Sequence, residues 1–447
     1  MKTGFWGWCL LGGILLAGCE TRFRVEGDSM LPTFLGGSVL ETCPKCGYTS
    51  PGRPSGTFVC ANCRWLVREK ERGNLAEKEP VYDEVVLRKG KKPQRDDCVL
   101  VVSDEGTLAV KRVLGLPGET VEIREGKVWI DGKRPIRPLE KWEENRILVH
   151  DDRFRPGGIS RWLATGKGDC LPEGWHVETR DFSAPAWLTY HHAEGSFLGG
   201  EKDVPNSTGE SFVPAAMTNL RSENGPQMRD AWIHTVDELQ LTFRLSAEIS
   251  EGVVMVRLPL GETVHTFWLL SRPTVLARLP KESFPTGSWS VYEGNFPSEE
   301  NSEERSDDWV FSTLDGVPRV WRNRQLLSEY PTESLEEYCA NIHMPPWEEE
   351  NRSVRVGFQG IGTVKWEQMT LFRGEYWLFY PPYFDKMPKL EGKTLAKEGE
   401  NGYYLIGDNC LVSRDSRLWG TIPPEQIRGV AVKWEPLPNS CRRENFR

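Results

Sequence analysis

Residues 110–118 read Val110-Lys111-Arg112-Val113-Leu114-Gly115-Leu116-Pro117-Gly118, which places a lysine at the end of an apolar strand. Glu125-Gly126 follows, a pair that suits the tight turn of a hairpin. Short segments with the alternation typical of strands lie on both sides of the lysine: residues 99–102, 107–110, 121–123 and 128–130. The stretch therefore predicts a β-sheet built of hairpins, with Lys111 on one of its strands.

The composition agrees with a folded protein rich in strands. The chain has 447 residues, of which 38% are hydrophobic and 27% charged, and this length suggests about two to four domains. Its 18 Trp, 43 Gly and 31 Pro favour short strands and turns over long helices. The net charge of -9 argues against a nucleic-acid binder, which normally carries a basic face. No internal run reaches the roughly 18 apolar residues of a spanning helix, which excludes a multi-pass membrane protein.

A second strand-rich region lies between residues 140 and 400. Its alternating segments are residues 239–245, 253–258, 265–270, 309–314, 317–321, 354–358 and 363–372. Asp315-Gly316 suits a hairpin turn between two of them. The pattern predicts a two-sheet β-sandwich at about 225–380, similar to the jelly-roll class. We expect irregular structure from 140 to about 225, and a linker over the charged residues 67–96.

Four cysteines form two closely spaced pairs, Cys43-x-x-Cys46 and Cys60-x-x-Cys63. Four thiolates at this spacing can close a tetrahedral structural site, so the segment is interpreted as a zinc ribbon. The alternative is two disulfides, because the chain is predicted to be exported.

The N-terminus has the features of an export signal. Lys2 is followed by a largely apolar stretch, residues 5–18, that ends in Leu16-Ala17-Gly18-Cys19. This ending resembles a bacterial lipobox, which makes Cys19 a candidate for lipidation. The alternative is a short uncleaved anchor. Either would place the rest of the chain outside the cytoplasm, at the face of the membrane.

Two further segments share the polar character of the lysine stretch. One is Gly27-Asp28-Ser29-Met30-Leu31-Pro32-Thr33, which offers a serine in a tight turn. The other begins at Gly407-Asp408-Asn409 and continues through Ser413-Arg414-Asp415-Ser416-Arg417-Leu418-Trp419-Gly420. In this order, the three segments resemble the conserved boxes of the bacterial type I signal peptidases. The resemblance covers residues 20–40, 96–136 and 403–432.

The resemblance implies a serine peptidase with a lysine base. It assigns Ser29 as the nucleophile and Lys111 as the general base, with Ser413 orienting the lysine amine. It also implies an ion pair between Asp415 and Arg417 that supports the last segment. A lysine accepts a proton only when neutral, so burial must lower its pKa from about 10.4. No histidine competes for the role, because all seven lie between His150 and His343, outside the three segments.

The chain departs from the family pattern beside the candidate site. Gly27 stands where some members have a Ser or Thr oxyanion donor, so backbone N–H groups, including that of Ser29, are expected to serve instead. Glu119 replaces the usual Asp after Pro-Gly, and Cys410 and Leu411 replace polar residues after Asp408-Asn409. These changes put the local salt bridges in doubt but remove no catalytic group.

Pattern and resemblance together predict a mainly β protein. A signal-peptidase-type core would carry an inserted zinc ribbon and an inserted jelly-roll-like β-sandwich. The predicted boundaries are: export signal or anchor 1–19, core 20–40, ribbon 41–66, core 67–140, insertion 141–400 and core 401–447.

The resemblance implies a membrane-bound endopeptidase that removes signal peptides from exported preproteins on the outer face of the cytoplasmic membrane. Its expected partners are preproteins and membrane lipid, with structural zinc as the only cofactor and no nucleic acid. A glycan or protein partner is considered for the sandwich. The alternative function is a degenerate peptidase core that presents the sandwich as a surface binding protein.

Overall fold

The computed structural model describes most of the chain from residue 21 onward. The residues described are 21–73, 78–88, 90–103, 106–156, 160–165, 169–171, 174–195, 212–214, 217, 235–279, 288–296, 306–329, 353–377, 394–396 and 401–435. The predicted export signal or anchor and Cys19 lie outside this part. Within it, no helix is long and apolar enough to cross a bilayer.

Strands dominate the described residues, which confirms the mainly β class. The strands are β1 (Thr21–Arg24), β2 (Gly36–Thr42), β3 (Thr49–Gly52), β4 (Phe58–Val59), β5 (Leu66–Val67), β6 (Val81–Tyr82), β7 (Glu84–Arg88), β8 (Cys98–Val102), β9 (Leu108–Gly115), β10 (Val121–Arg124), β11 (Lys127–Ile130), β12 (Ile147–Asp151), β13 (Trp162–Thr165), β14 (Asp169–Leu171), β15 (Gly174–Tyr190), β16 (Ala193–Gly195), β17 (Phe212–Pro214), β18 (Leu239–Leu260), β19 (Thr263–Leu270), β20 (Ser288–Glu293), β21 (Ser306–Ser312), β22 (Arg319–Arg322), β23 (Gln325–Leu326), β24 (Arg355–Arg373), β25 (Thr394–Ala396), β26 (Tyr404–Ile406) and β27 (Ile427–Glu435). The helices are α1 (Leu139–Asn145), α2 (Ser416–Trp419) and the 3-10 turns Glu69–Glu71, Pro273–Arg278, Leu314–Gly316 and Pro424–Gln426.

The first and last parts of the chain share one antiparallel sheet, in the order β1-β7-β27-β8-β9-β26. The linker predicted for residues 67–96 is wrong over β7, whose three central residues, Val85, Val86 and Leu87, are buried in this sheet. The run has no polar alternation because both faces of this strand are buried. Beside this sheet, β10 and β11 form the predicted hairpin. Its turn residues Glu125 and Gly126 both have positive φ, as a tight hairpin requires.

A second, larger sheet is built on three long antiparallel strands, β15, β24 and β18. The strands predicted at 239–245 and 253–258 are halves of β18, and those at 354–358 and 363–372 are halves of β24. The chain passes between halves through bulges instead of turns, as at Ile249/Glu251. Opposite this bulge, a Cβ on Gly360 would lie 2.3 Å from the Glu251 carbonyl oxygen. The bulge therefore brings the two backbones closer than a side chain would allow.

The two halves of the large sheet face each other across one core. β21 pairs with the first half of β18 and β19 with the second, yet Phe311 of β21 and Phe267 of β19 stack edge to face at 5.4 Å. β19 and β21 pair with different halves of β18, so their side chains can touch only if the sheet folds over on itself. The sandwich architecture is therefore confirmed, and Asp315-Gly316 connects the antiparallel strands β21 and β22 as expected.

The sandwich begins earlier in the chain than the sequence indicates. β12, β13, β14 and the 17-residue β15 all belong to the large sheet, where irregular structure is predicted. β15 has the buried alternation of a strand only near its ends, because its middle, around Asp181–Pro185, is shifted out of register with β24 and largely exposed. That interruption hides the strand from a search for period-two patterns.

Candidate active site

Ser29 lies in a turn held together by close backbone contacts. Gly27 has φ +80, and its N–H donates to the Gly36 carbonyl at 2.8 Å. A Cβ on Gly36 would lie 2.1 Å from the Gly27 carbonyl oxygen, so the two chain segments approach more closely than a side chain permits. The Leu31 N–H closes the turn on the Asp28 carbonyl at 3.2 Å. Ser29 itself is half-buried.

Lys111 approaches this serine from the middle of β9. Its side chain is 3% exposed, and its Nζ lies 2.9 Å from the Ser29 Oγ. The indole of Trp419 lies beside it, with the Nζ 6.0 Å from the ring centroid. A half-buried hydroxyl and a buried amine in hydrogen-bond contact match the arrangement of a nucleophile and its base.

Burial lowers the pKa of Lys111 to about 8, because its charged form loses hydration. The carboxylates of Asp415 and Asp408 favour the charged amine, and the guanidinium of Arg417 opposes it. The balance leaves a substantial fraction of the amine neutral near pH 8. A neutral amine can accept a proton from a serine hydroxyl, whereas an ordinary lysine is almost fully charged at that pH.

Ser413 and Ser29 both pack closely against Gly407. A Cβ on Gly407 would lie 2.1 Å from the Ser413 Oγ and 2.5 Å from the Ser29 carbonyl oxygen. Only a glycine allows the last segment to pack so closely on the serine turn. The Asn409 N–H adds a hydrogen bond to the same Ser29 carbonyl at 3.0 Å. Ser413 is buried beside the Asp415 carboxylate, and its Oγ has no partner of full hydrogen-bond geometry among the described residues.

Asp415 and Arg417 form the expected ion pair, which is fully buried and bidentate, with two contacts of 2.7 Å. Asp415 also caps α2 and accepts the Gly407 N–H at 3.0 Å. Burial opposes ionisation of Asp415, but the Arg417 charge and these hydrogen bonds outweigh it and lower the pKa of the carboxyl. Arg417 further donates to the Ser413 carbonyl at 3.1 Å, so the pair fixes the loop that carries Ser413.

A second buried ion pair, which sequence reasoning missed, joins all three segments. Arg112 donates to both carboxylate oxygens of Asp408 at 2.7 Å, and the Thr33 hydroxyl also contacts Asp408. Arg112 belongs to the lysine segment, Asp408 to the last segment and Thr33 to the serine segment. The sequence contained one signal for this ion pair. Lys111 and Arg112 are adjacent on a strand, so their side chains point to opposite faces of the sheet. If Lys111 is buried on one face, Arg112 needs a charged partner on the other.

The departures from the family pattern are accommodated locally. Glu119 pairs with Arg95 at 2.6 Å and accepts the Leu116 N–H at 2.7 Å, which closes the Pro-Gly turn. The Cys410 thiol is buried and lies 3.4 Å from the Tyr376 carbonyl oxygen.

Four thiols converge in the ribbon segment. The Sγ atoms of Cys43, Cys46, Cys60 and Cys63 all lie within 4.8 Å of one another, and the four are free thiols, so the disulfide alternative is not found. The Cys43–Cys63 and Cys46–Cys60 Sγ distances are both 3.6 Å. Tetrahedral metal–thiolate bonds of about 2.3 Å would hold the sulfurs about 3.8 Å apart. The cluster can therefore bind a metal ion.

The ribbon is attached to the sandwich. Asn62, between two of the cysteines, accepts the Asp151 N–H at 2.6 Å and donates to the Phe154 carbonyl at 2.8 Å. Arg161 donates to the Cys63 carbonyl at 2.8 Å. Leu148 of β12 packs on the cysteine cluster in a shared apolar core. The thiol site is therefore in direct contact with β12, at the start of the insertion.

Part of the chain matches a known family. The family model described as signal peptidase, peptidase S26, matches residues 6–174 and 382–434. The matched ranges contain the serine, lysine and C-terminal segments, and they leave out residues 175–381, which hold most of the sandwich. The match supports a signal-peptidase-like hydrolase. A search of curated proteins found no match to the chain.

Solved structures resemble the chain only distantly. A protein of unknown function with a galectin-like fold from Bacillus subtilis is 8% identical, with a TM-score of 0.28, covering 51% of this chain and 96% of its own. The exoplasmic/lumenal domain of VIP36, bound to Ca²⁺ and Man3GlcNAc, is 7% identical, with a TM-score of 0.25 and coverage of 53% and 92%. An alginate lyase from Corynebacterium sp. is 9% identical, with a TM-score of 0.23 and coverage of 57% and 93%.

Proposed function

We propose that the chain is a membrane-bound serine endopeptidase that cleaves N-terminal signal peptides from exported preproteins. The observation that carries the proposal is the 2.9 Å contact between the Ser29 Oγ and the Nζ of the buried Lys111, whose pKa lies near 8. The match to the signal peptidase family supports the substrate class.

In the proposed reaction, neutral Lys111 takes the Ser29 hydroxyl proton as the Oγ attacks the scissile carbonyl carbon. Lys111 then gives that proton to the leaving amine, and the signal peptide stays on Ser29 as an ester. Water, activated by the same lysine, releases it and restores the serine. Ser413, whose Oγ forms no hydrogen bond to Lys111 in this structure, is proposed to orient the amine during turnover, and the Asp415–Arg417 pair holds the loop that carries Ser413.

The negative charge that develops on the substrate carbonyl needs donors already in place. The Ser29 N–H is our candidate, because it donates no hydrogen bond within the described part of the chain. Gly27 adds no side chain to that side of the turn, consistent with donors from the backbone.

For the ribbon, we propose structural zinc held by Cys43, Cys46, Cys60 and Cys63. Four thiolate ligands fill the tetrahedral shell of zinc and leave no position for a substrate. Zinc would therefore supply folding energy and no catalytic chemistry.

We further propose that the domain boundaries predicted from the sequence hold for the core and the ribbon. The N-terminal segment is proposed to attach the core to the outer face of the cytoplasmic membrane, through lipidated Cys19 or through an uncleaved anchor.

Cleavage of a purified preprotein by the full-length chain in detergent tests the proposal. Ser29→Ala and Lys111→Met should each reduce cleavage to background while the circular dichroism spectrum stays unchanged. Near wild-type cleavage by either variant would reject the proposed dyad. Absence of cleavage by the wild-type chain would favour the degenerate-core alternative.

A further inference from the structure

Two arginines lie side by side on the outer face of the sandwich. Arg257 of β18 is the direct cross-strand partner of Arg355 of β24. Neither guanidinium contacts a carboxylate in the described part of the chain, and Arg355 meets only the Ser353 hydroxyl at 3.2 Å. Like charges directly opposite each other destabilise a sheet.

The arginines belong to a row that crosses five strands, which we call the arginine row. In strand order, it consists of Thr189, Arg355, Arg257, Thr266 and Trp289. The first four side chains are on the outer face, because the neighbouring residues Leu188, Val356, Val256 and Phe267 are in the inner core. Trp289 packs against the separate apolar cluster of that outer face.

Two buried polar atoms in this row lack partners. The Arg257 Nε and the Thr266 Oγ1 are both shielded from solvent and form no hydrogen bond, and Thr266 is only 2% exposed. Burial and the nearby Arg355 charge lower the pKa of Arg257 to about 10. These unsatisfied buried donors lie beside two positive charges that no carboxylate neutralises. Such an arrangement favours the binding of an anion.

The adjoining row is aromatic. It contains Trp187, which lies across Gly357, and Trp268, which stacks on Trp289 with ring centroids 6.0 Å apart. The 3-10 turn Pro273–Arg278 and the residue after it cover the middle of this row through Val275 and Leu279. Trp187 and Trp289 remain half-exposed, on β15 and β20 respectively. At about 4.8 Å per strand, four strand spacings separate these two strands by about 19 Å.

We propose that the arginine row binds an acidic saccharide. The paired guanidinium groups would hold the carboxylate of a uronate unit, for which the planar fork of arginine is suited. The half-exposed indoles of Trp187 and Trp289 would cover the apolar faces of neighbouring rings. A phosphopeptide would use the arginines but would give the two indoles and the long row no role.

Isothermal titration of the full-length chain in detergent tests this proposal, with a galacturonate tetramer as the probe. We expect saturable binding that weakens with salt and is absent for a neutral galactose tetramer. Arg355→Gln and Arg257→Met should each weaken binding by at least about tenfold, the discrimination expected for a charge-assisted bidentate contact. Arg244→Gln is the matched control, because Arg244 is also on β18 but pairs with Asp308 at 3.2 Å.

Other outcomes would overturn the proposal. They are no binding by wild type, equal binding of the neutral tetramer, unchanged affinity in both row variants, tighter binding of a phosphoserine peptide, or binding of inorganic sulfate alone. Thermal melting checks that Arg257→Met is folded. Because this variant loses one of two repelling charges, its melting temperature should be unchanged or raised. Preprotein cleavage should be unchanged in every row variant, so this proposal and the proposed peptidase function can fail independently.

Discussion

Burial lets Lys111 act as a base, and it also lowers the stability of the folded protein. Lowering its pKa from 10.5 to about 8 corresponds to roughly 3 kcal/mol at about 1.36 kcal/mol per unit. The folded state therefore holds the proton less tightly than the unfolded chain. Stability is reduced below pH 8 and recovers as the pH rises from about 8 to 10.5, where the unfolded chain binds more protons.

Lys111→Met tests this cost. Methionine keeps an unbranched apolar side chain and removes the charge, so at pH 7 the free energy of unfolding should rise by up to roughly 3 kcal/mol. The difference from wild type should shrink above pH 8. Urea denaturation at pH 7 and pH 10 measures both effects, and a variant less stable than wild type at pH 7 would contradict this view of the site.

The same pKa determines the pH dependence of cleavage. Because only neutral Lys111 accepts a proton, kcat/KM should rise through an apparent pKa near 8 and fall about tenfold per pH unit well below it. Initial rates between pH 6 and pH 9.5 give the profile. A rate independent of pH across 7 to 9 would mean that Lys111 is not the base.

Gly407→Ala should disrupt the approach of Ser413 to the serine turn. The new Cβ would have to displace the Ser413 Oγ and the Ser29 carbonyl, so kcat should fall by at least about a hundredfold. Gly429→Ala is the control, because its nearest neighbour, the Leu87 Cβ, is 3.3 Å away and Gly429 is on β27, two strands from β9. Equal activity of the two variants would show that the close packing at Gly407 is dispensable.

The candidate site was predicted through the resemblance more than through local patterns. The Asp415–Arg417 pair, two residues apart, was expected from that resemblance. Arg112 and Asp408 are 296 residues apart, and no local pattern specifies their pairing. The contact between Ser29 and Lys111 was expected only through the resemblance, because neither residue alone differs from an ordinary turn serine or strand lysine.

At the scale of elements, the sequence predicted most strands but not how they join. Period-two alternation located both halves of β18 and β24. In β18 the bulge between the halves reverses the alternation, and in β24 Gly360 and Gly362 interrupt it, so each long strand looked like two. β7 was missed because a strand buried on both faces has no alternation, and β15 because its middle is exposed.

The ribbon and β12 should depend on each other. Chelation of the bound metal should release Asn62 from the Asp151 and Phe154 backbone and speed hydrogen exchange over residues 147–154. We expect one zinc per chain before chelation, and Asn62→Ala should give the same local exchange with the zinc retained. Unchanged exchange after complete removal of the metal would show that the ribbon does not support the sandwich.

For the whole molecule, one chain connects a proposed catalytic core and a sandwich through buried polar contacts. Arg134 pairs with Glu238, and Arg137 with Asp315 at 3.0 Å. Trp142 of α1 also donates to Asp315, at 2.9 Å. These contacts join the segment after β11 to the sandwich, so a ligand on the sandwich would be held close to the proposed peptidase.

The proposed location at the membrane constrains Ser29. Nine residues separate Cys19 from Ser29, a span of at most roughly 35 Å. We expect the full-length protein to sediment with membranes in the absence of detergent. Fatty-acid labelling that is lost in Cys19→Ala would identify the lipidated form, and recovery of the full-length chain in the soluble fraction would contradict both proposed anchors.

The central claim is that Ser29 carries the signal peptide as an ester during turnover. Acid quenching during cleavage of a preprotein, followed by mass spectrometry of the Ser29 peptide, tests it most directly. The account predicts a mass increase equal to the acylating signal-peptide fragment on Ser29, absent in Lys111→Met. An adduct on a different residue, or cleavage that persists in Ser29→Ala, would contradict it.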